Sequence, residues 1–365
     1  MSTPRRPDMT LPDRPGIVTL TMNPALDVST RTPALRPNDK LRCAEPWHEP
    51  GGGGINVARV ITALGGEATA LFPSGGPAGR MIETLLEKAG VAFRSVPISG
   101  ITRESFNVDE TDTGHQYRFI LPGPPLTALE QAMLFDALAR LSPAPRYVVA
   151  SGSLPPGMGN DFHALLGRVC REIGACLLFD APGEVLAASA GARALLIKPN
   201  LLELEKAAGR RLRTHHQRVN AARRLIAAEV AEIVIVSNGA GGALLLTAAE
   251  EEAIPAAQVP VRSAVGAGDS MMGALTLGLS QGMTIHDAVR YGMAAGAAAV
   301  TTAAGMLACR EDTDRIFLEL SSERTFNPGN CVEAPTGVEN SRSTPRASSA
   351  VRAASGDRNG PYAGT

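Results

Sequence analysis

A glycine-rich turn followed by a carboxylate carries the residue types that phosphoryl-transfer chemistry needs. The stretch 261–273 reads VRSAVGAGDSMMG, in which an apolar lead-in precedes Gly266, Ala267, Gly268 and Asp269 and a helical pattern follows. The first N–H groups of a helix lack partners within it, and glycine lets a ligand approach the backbone, so this turn predicts an anion hole for phosphate. A carboxylate such as Asp269 beside a bound anion is electrostatically unfavourable unless it has a function, such as accepting a proton from a nucleophile. A carboxylate that only stabilises the helix start is the alternative.

Four consecutive glycines open a second helical segment. They occupy positions 51–54 and precede an apolar-periodic run at 55–64. Because a tetraglycine is entropically costly, the close approach of a ligand explains it better than a simple turn, and a flexible hinge is the competing interpretation. Asn56 adds an amide that could bond to ligand hydroxyl groups.

A third motif, KPNLLE at 198–203, follows a β-rich run. Asn200 is a favourable N-cap, and Glu203 has the spacing of a capping box, so Glu203 either only caps the helix or also stands near a metal-bound phosphate. The loop SNGAGG at 237–242 follows another strand. No helical pattern follows its Gly-x-Gly, which disfavours a dinucleotide fingerprint and leaves backbone contacts to a nucleotide open.

Alternating strands and helices must position these motifs. Strands are predicted at 17–22, 68–74, 147–151, 176–180, 195–198 and 232–236, with a returning strand at 243–247. Helices are predicted at 81–88, 128–141 and 162–173, and a short helix between the strands 176–180 and 195–198. This alternation predicts an α/β fold with a doubly wound, mostly parallel sheet, whose ligands bind beyond the carboxyl ends of the strands. Ser151, Asp180 and Lys198 should meet at one crevice there. Asp27 should join them, unless it is only a turn residue.

Short alternating segments predict a small β-sheet lid. They lie at about 26–48 and 103–121, with a turn at 111–114. A lid of about four strands would be thin, and its bare face would favour a homodimer. Arg103 is a candidate phosphate clamp within it, although a lone surface arginine is the more frequent meaning. Helices are expected at 268–280, 284–302 and 312–320.

Composition limits the class of protein. The chain has 365 residues, a formal net charge of −1 and 4% aromatic residues, so no nucleic-acid partner is expected. Its five scattered cysteines indicate a reducing compartment without a zinc site, and no apolar run reaches the ~18 residues of a membrane span. We therefore expect a cytoplasmic protein with a loose arm at 1–15, one domain at 16–320 and a disordered tail at 321–365.

These motifs, in this order, resemble those of the ribokinase-like (PfkB-type) sugar kinases, from about Ile17 to Leu320. Within that family the chain is most similar to the minor-type bacterial 6-phosphofructokinases, on the stretches KLRC at 40–43, GGGG at 51–54 and QYRF at 116–119. Relatives that phosphorylate fructose 1-phosphate or tagatose 6-phosphate typically have a lysine in the glycine loop, and this chain has none there. The resemblance therefore implies ATP-dependent phosphorylation of fructose 6-phosphate at its 1-hydroxyl, giving fructose 1,6-bisphosphate in glycolysis. A kinase for another phosphorylated ketose and a non-catalytic nucleotide-binding regulator are the alternatives.

The resemblance also implies roles for matching positions. Asp269 would be the base, with Gly266, Ala267 and Gly268 as the anion hole. The sugar phosphate would contact Asp27, Gly52, Gly53, Gly54, Asn56, Arg103 and Ser151, and Lys40 would touch a phosphate of the substrate or of a regulatory nucleotide. ATP would contact Lys198, Asn200, Ser237, Gly239, Gly241 and Gly242, and Glu203 would hold Mg²⁺ through water. Carbonyls of Ser263 and Val265 are first candidates for a monovalent cation such as K⁺, although TTAAG at 301–305 replaces a more polar stretch expected near that site.

Overall fold

The structure is a computed structural model, which describes residues 16–159, 161–302 and 307–322. The predicted arm at 1–15 and nearly all of the predicted tail lie outside these residues. Numbered in chain order, the strands are β1 Ile17–Leu20, β2 Ala25–Thr32, β3 Trp47–Gly51, β4 Thr69–Ser74, β5 Ala92–Pro97, β6 Arg103–Glu110, β7 Gln116–Ile120, β8 Tyr147–Ser151, β9 Cys176–Asp180, β10 Ala194–Ile197, β11 Ala231–Ser237, β12 Ala243–Leu246 and β13 Glu251–Ile254. The helices are α1 Gly53–Ala63, α2 Gly76–Lys88, α3 Ala128–Ala139, α4 Phe162–Glu172, α5 Gly183–Ala188, α6 Leu201–Ala208, α7 His215–Ala227, α8 Ala267–Ser280, α9 Ile285–Thr301 and α10 Arg310–Ser322.

Nine of these strands form the central sheet, in the order β13-β12-β11-β10-β9-β8-β1-β4-β5. Neighbours from β11 to β5 pair in parallel, whereas β12 and β13 return antiparallel at one edge. Successive apolar residues of a strand point to opposite faces, so Leu71 and Phe72 enter two different cores. Because both faces are covered, the strands are continuous apolar runs. The predicted doubly wound α/β sheet is confirmed.

The remaining strands form a separate sheet in the order β3-β2-β6-β7. Strand β2 pairs with β6 in parallel, while β3 and β7 are antiparallel to their neighbours. The predicted four-stranded lid is therefore confirmed, although its second strand extends to Gly51 rather than ending at His48. Large apolar side chains remain exposed on it: Phe106, Tyr117, Phe119, Ile120 and Leu121.

Three elements were not predicted from the sequence. They are β5, α7 and β13, each of which lies at an edge or on the outside of the fold. Their sequences mix polar residues into weak patterns, as in the EEAI of β13, because one face of each meets solvent. In addition, α2 begins at Gly76, five residues before the predicted start at Met81. Among the described helices, none is long and apolar enough to cross a membrane.

Candidate active site

The first turn of α8 presents an uncapped helix N-terminus at the carboxyl edge of the central sheet. Gly266 precedes it in the left-handed region with φ 79°, and within the described chain no side chain caps it. A Cβ atom on Gly268 would lie 3.5 Å from Lys198 Nζ, so the turn faces a cation. The free amides, the helix dipole and this ammonium group all favour an anion at the same place.

Asp269 lies in that first turn and is held by two hydrogen bonds. Asn56 Nδ2 donates to its Oδ2 at 2.9 Å, and Ser151 Oγ donates to its Oδ1 at 3.4 Å. Burial raises the pKa of Asp269 to about 6, with the charge of Asp180 acting in the same direction, while Asn56, Lys198 and Ser151 oppose the rise. A carboxylate with such a pKa is ionised at neutral pH yet basic enough to accept a proton.

Lys198 is buried, and its Nζ forms an ion pair with Asp180 Oδ2 at 2.8 Å. Burial favours the neutral amine, but the nearby carboxylates outweigh it and raise the pKa of Lys198. Glu203 lies close to this pair, and its pKa is raised by burial and by the charge of Asp180. Two carboxylates near one ammonium group leave a net negative charge. Negatively charged carboxylate oxygens are the ligands that a hard divalent cation prefers.

The capping box predicted at Asn200 and Glu203 is confirmed. Asn200 Oδ1 accepts from Glu203 N at 2.9 Å, and Glu203 Oε2 accepts from Asn200 N at 2.8 Å. The other Glu203 carboxylate oxygen accepts none of the hydrogen bonds found among the described residues, so capping does not occupy the whole group. No cluster of three or more His, Cys, Asp or Glu side chains in the described chain is arranged to hold a metal directly.

The tetraglycine owes its composition to contacts within the protein. A Cβ atom on Gly53 would lie 2.3 Å from Ser151 Oγ, and one on Gly54 would lie 2.6 Å from Leu20 O. Gly52 is the N-cap of α1 with φ 119°. The loop therefore packs directly on the ends of β1 and β8, which brings Asn56 to Asp269. These contacts are a further reason for glycine at 52–54, and the approach of a ligand to the same loop stays a prediction.

A cleft of about 180 Å³ lies between the lid and the starts of α1 and α8. Its walls include Asp269, Gly266 and Asn56 from the central domain and Asp27, Trp47 and Arg118 from the lid. Arg59 also lines the cleft, but its guanidinium is paired with Glu49 at 3.0 Å. Arg118 is exposed, its Nε donates to Asn107 Oδ1 at 3.4 Å, and it takes part in no ion pair found within the described residues. The cleft is thus lined by both the Asp269 carboxylate and the Arg118 guanidinium.

Asp27 is not a turn residue, because it lies in the middle of β2 and faces this cleft. Burial raises its pKa to about 6, which the charges of Arg103 and Arg118 partly oppose. Gly51 on β3 lies two residues from Glu49, the pairing partner of Asp27, and a Cβ atom on Gly51 would lie 2.2 Å from Asp27 Oδ2. Asp27 can accept a hydrogen bond from a polyol at that wall.

Six of the predicted substrate contacts are not among the residues that line the cleft: Gly52, Gly53, Gly54, Ser151, Arg103 and Lys40. Arg103 is at the base of the lid and donates to backbone carbonyls, from Nη2 to Asn23 O at 3.1 Å and from Nη1 to Leu121 O at 3.1 Å. Lys40 is exposed in the loop between β2 and β3. The local sequence does not show where the Arg103 and Lys40 side chains lie relative to the cleft, because the pairing of the lid strands decides it.

The loop predicted to contact a nucleotide follows β11 at the same sheet edge. Ser237 N donates to Pro199 O at 3.0 Å, which ties this loop to the Lys198–Glu203 motif. Residues Gly239–Gly241 form a short 3₁₀ turn, and Gly242 has φ 82°. Ser263 and Val265 lie just before α8, where Ser263 Oγ accepts from Val265 N at 3.2 Å. Most of the stretch at 301–305 lies outside the described residues.

The fold and this arrangement define an α/β carbohydrate kinase with a β-sheet lid. Residues 18–312 match the description "pfkB family carbohydrate kinase". The chain belongs to this family, and it is therefore a phosphotransferase that acts on an alcohol group. The family implies ATP and a divalent metal.

Individual relatives cover most of the chain. It is 45% identical over 316 residues to "ATP-dependent 6-phosphofructokinase isozyme 2" of Mycobacterium tuberculosis, covering 86% of this chain and 91% of the relative. Crystal structures of phosphofructokinase-2 from Escherichia coli, 38% identical, superpose with a TM-score of 0.80 for the complex with potassium and 0.78 for the complex with fructose-6-phosphate. Each superposition covers 84% of this chain and 99% of the Escherichia coli chain.

Sequence reasoning placed Asp180 in the crevice without a specific role, and it did not assign site roles to Arg59 or Arg118. Arg59 closes the GGGGINVAR stretch, and Arg118 lies in the QYRF stretch, so both were within motifs already singled out. The local sequence does not specify which face of its strand or helix each of these residues occupies. In the antiparallel pair of β6 and β7, Arg118 lies opposite Asn107, which also lines the cleft.

Proposed function

We propose that this protein transfers the γ-phosphate of ATP to the 1-hydroxyl of fructose 6-phosphate, giving fructose 1,6-bisphosphate and ADP, a step of glycolysis. The observation that carries the proposal is Asp269, held by Asn56 and Ser151 at an uncapped helix start, in a cleft that Arg118 also lines. The names of the relatives support the same reaction.

In this reaction Asp269 accepts the proton of the sugar 1-hydroxyl as that oxygen forms its bond to the γ-phosphorus. The bond from the γ-phosphorus to the β,γ-bridging oxygen breaks, and ADP leaves with the bridging oxygen. The amides of Gly266, Ala267 and Gly268 and the ammonium group of Lys198 stabilise the charge on the transferred group. Asp180 and Glu203 would hold Mg²⁺ through water, and the ion would neutralise negative charge on the phosphates of ATP.

The sugar phosphate is proposed to lie in the cleft below the lid. Asp27, Asn56 and Ser151 would bond to its hydroxyl groups, with the backbone of Gly52 to Gly54 alongside. Arg118 is a better candidate than Arg103 for the 6-phosphate, because Arg118 donates within the described residues only from Nε, to Asn107 Oδ1, whereas Nε, Nη1 and Nη2 of Arg103 all donate to backbone carbonyls. Arg59 would add positive charge at the same wall.

ATP is proposed to lie along Lys198, Asn200 and the loop from Ser237 to Gly242. K⁺ is a further candidate ligand beside α8, at carbonyls of Ser263 and Val265, because one related structure is a complex with potassium. Residues 16–320 would form the working kinase domain.

The lid is proposed to mediate a homodimer. Phe106, Tyr117 and Phe119 are exposed, and Phe106 pairs with Phe119 across β6 and β7. They alternate along the strands with the cleft-lining Asn107, Gln116 and Arg118, so they share the opposite face of the lid, where exposed apolar residues favour a protein–protein contact. Lys40 lies on a loop of the same sheet and does not line the cleft of its own chain. We therefore assign Lys40 a phosphate contact only in the assembled dimer.

A substrate panel tests the proposal. Release of ADP should be measured with fructose 6-phosphate, fructose 1-phosphate and tagatose 6-phosphate, and kcat/KM compared. We expect fructose 6-phosphate to be preferred. Preference for another ketose phosphate would replace the substrate, and nucleotide binding without turnover of any of the three would favour a regulator.

A further inference from the structure

Hydrogen bonds of Asn23 and Arg103 link three connections between the central sheet and the lid. Asn23 lies between β1 and β2, and its carbonyl oxygen accepts two guanidinium N–H groups of Arg103, from Nη2 at 3.1 Å and Nε at 3.4 Å. Arg103 is the first residue of β6, and its Nη1 also donates to Leu121 O, just beyond β7. One side chain thus joins the entrance of the lid to its exit.

The side chain of Asn23 extends this junction into the central domain. It is 8% exposed, and its Nδ2 donates to Ser153 Oγ at 3.1 Å. Its Oδ1 is buried and has no hydrogen-bond partner among the described residues. That oxygen lies against Gly123, where a Cβ atom would be 2.0 Å away. Burying an amide oxygen without a hydrogen-bond partner costs free energy, so packing alone does not favour asparagine here. The bond to Ser153 is the interaction that does.

Ser153 belongs to the loop that begins at the end of β8. Two residues earlier, Ser151 Oγ donates to Asp269 Oδ1 at 3.4 Å. Gly152 lies between them with φ 105°, and a Cβ atom on it would be 3.1 Å from Gly53 N. The loop has little freedom to move at one end without moving the other, because it is packed on the tetraglycine.

From these contacts we infer that Asn23 is a positioning residue that ties the lid to the catalytic loop. When the lid closes on the sugar phosphate, Arg103 and Asn23 hold the loop of Ser151 and Ser153 so that Asp269 is aligned with the hydroxyl group it deprotonates. Asn23 touches neither Asp269 nor the cleft. The inference rests on the proposed function and adds a residue that no motif singled out.

The sole tryptophan offers a measurement of binding separate from turnover. Trp47 lies on β3, lines the cleft and carries the Arg31 guanidinium 5.5 Å from its ring centre. Fructose 6-phosphate should therefore change its fluorescence, and the titration gives Kd without chemistry. A loss of kcat at constant Kd is the result that misalignment produces.

The experiment compares Asn23→Ala, Ser153→Ala and the double variant in the full-length chain. Each single change should lower kcat at least about 10-fold, because misplacing reacting groups by ~1 Å costs about 100-fold. The Trp47 Kd should stay within about 3-fold, and the double variant should be no slower than the slower single one, because both remove one interaction. Ser153→Thr keeps the hydroxyl group and should restore kcat.

Ser99→Ala is the matched control. It also removes a serine hydroxyl bond beside the lid, from Ser99 Oγ to Glu130 at 2.9 Å, but off the proposed path, so kcat should not change. Multiplicative losses in the double variant, a normal kcat in Ser153→Ala, or Kd rising in step with the loss of kcat would each overturn the inference. Ser153 is exposed, so its variants remain informative if Asn23→Ala fails to fold. Failure of the proposed function is distinguished by wild-type protein that does not turn over fructose 6-phosphate, in which case the same variants are compared on the ketose phosphate that is turned over.

Discussion

Replacing Asn56 by alanine should shift the pH dependence of turnover. The Asn56 Nδ2 group donates to Asp269 Oδ2 at 2.9 Å, and this bond favours the ionised carboxylate. Burial already raises the pKa of Asp269 to about 6. Removing the donor leaves burial and the charge of Asp180 less opposed, so the pKa must rise further.

The size of the shift follows from the strength of the bond. A hydrogen bond to a charged group contributes about 1.5–3 kcal/mol, and one pKa unit corresponds to about 1.36 kcal/mol, so a rise of roughly 1–2 units is expected. Taking a rise of about 1 unit, the ionised fraction of Asp269 at pH 6 falls from roughly one half to roughly one tenth. Turnover at that pH should fall about 5-fold, and above pH 9 most of the loss should disappear.

The assay measures kcat from pH 5 to 9 with both substrates saturating, because kcat reports groups in the bound complex. ADP should be quantified directly by chromatography, which avoids coupling enzymes with their own pH dependence. Ser151→Ala is the control, since its longer bond of 3.4 Å should give a smaller shift of the acidic limb. If kcat of Asn56→Ala falls equally at every pH and the acidic limb of the pH profile does not move, the argument is refuted. Asn56 would then contact the sugar and would not set the pKa of Asp269.

Three further expectations concern stability, recognition and assembly. Because folding raises the Asp269 pKa from 3.8 to about 6, this carboxyl adds stability below pH 4 that is lost as pH rises through 6. Asp269→Asn should therefore be more stable than wild type at pH 8 by up to about 3 kcal/mol in urea unfolding, with no difference near pH 3.5; equal stability at pH 8 contradicts the burial argument. Arg118→Ala should raise KM for fructose 6-phosphate at least about 10-fold and KM for ATP less than about 2-fold, and equal rises in both would exclude a sugar-phosphate contact. Phe119→Glu should convert a dimer to monomers in sedimentation velocity, whereas Leu318→Glu, at an exposed apolar position on α10, should not; an unchanged dimer in Phe119→Glu would place the interface elsewhere.

Several candidate site residues could be located from the sequence, because they lie at helix starts and strand ends, which neighbouring residues specify. Gly266 to Asp269 and the Asn200–Glu203 pair are helix starts, and a helix start is specified by neighbouring residues. Ser151 and Lys198 end buried strands, so the parallel sheet was enough to bring them to one edge.

The lid was harder, because its register depends on distant pairing. Ala25 pairs with Arg103, far along the chain, and this pairing turns Asp27 toward the cleft and the Arg103 guanidinium toward Asn23 O. No local pattern specifies that register. The same reason explains why Arg118 was recognised as part of a motif and not as a wall of the cleft.

The most direct test of the kinase assignment is the turnover of Asp269→Asn with fructose 6-phosphate and ATP. If Asp269 is the base, kcat should fall by about 10²–10⁴, while ATP binding and the Trp47 response to fructose 6-phosphate stay close to those of the wild-type protein. Turnover within a few-fold of the wild type would contradict the account, because the proton of the sugar hydroxyl would then be accepted by another group.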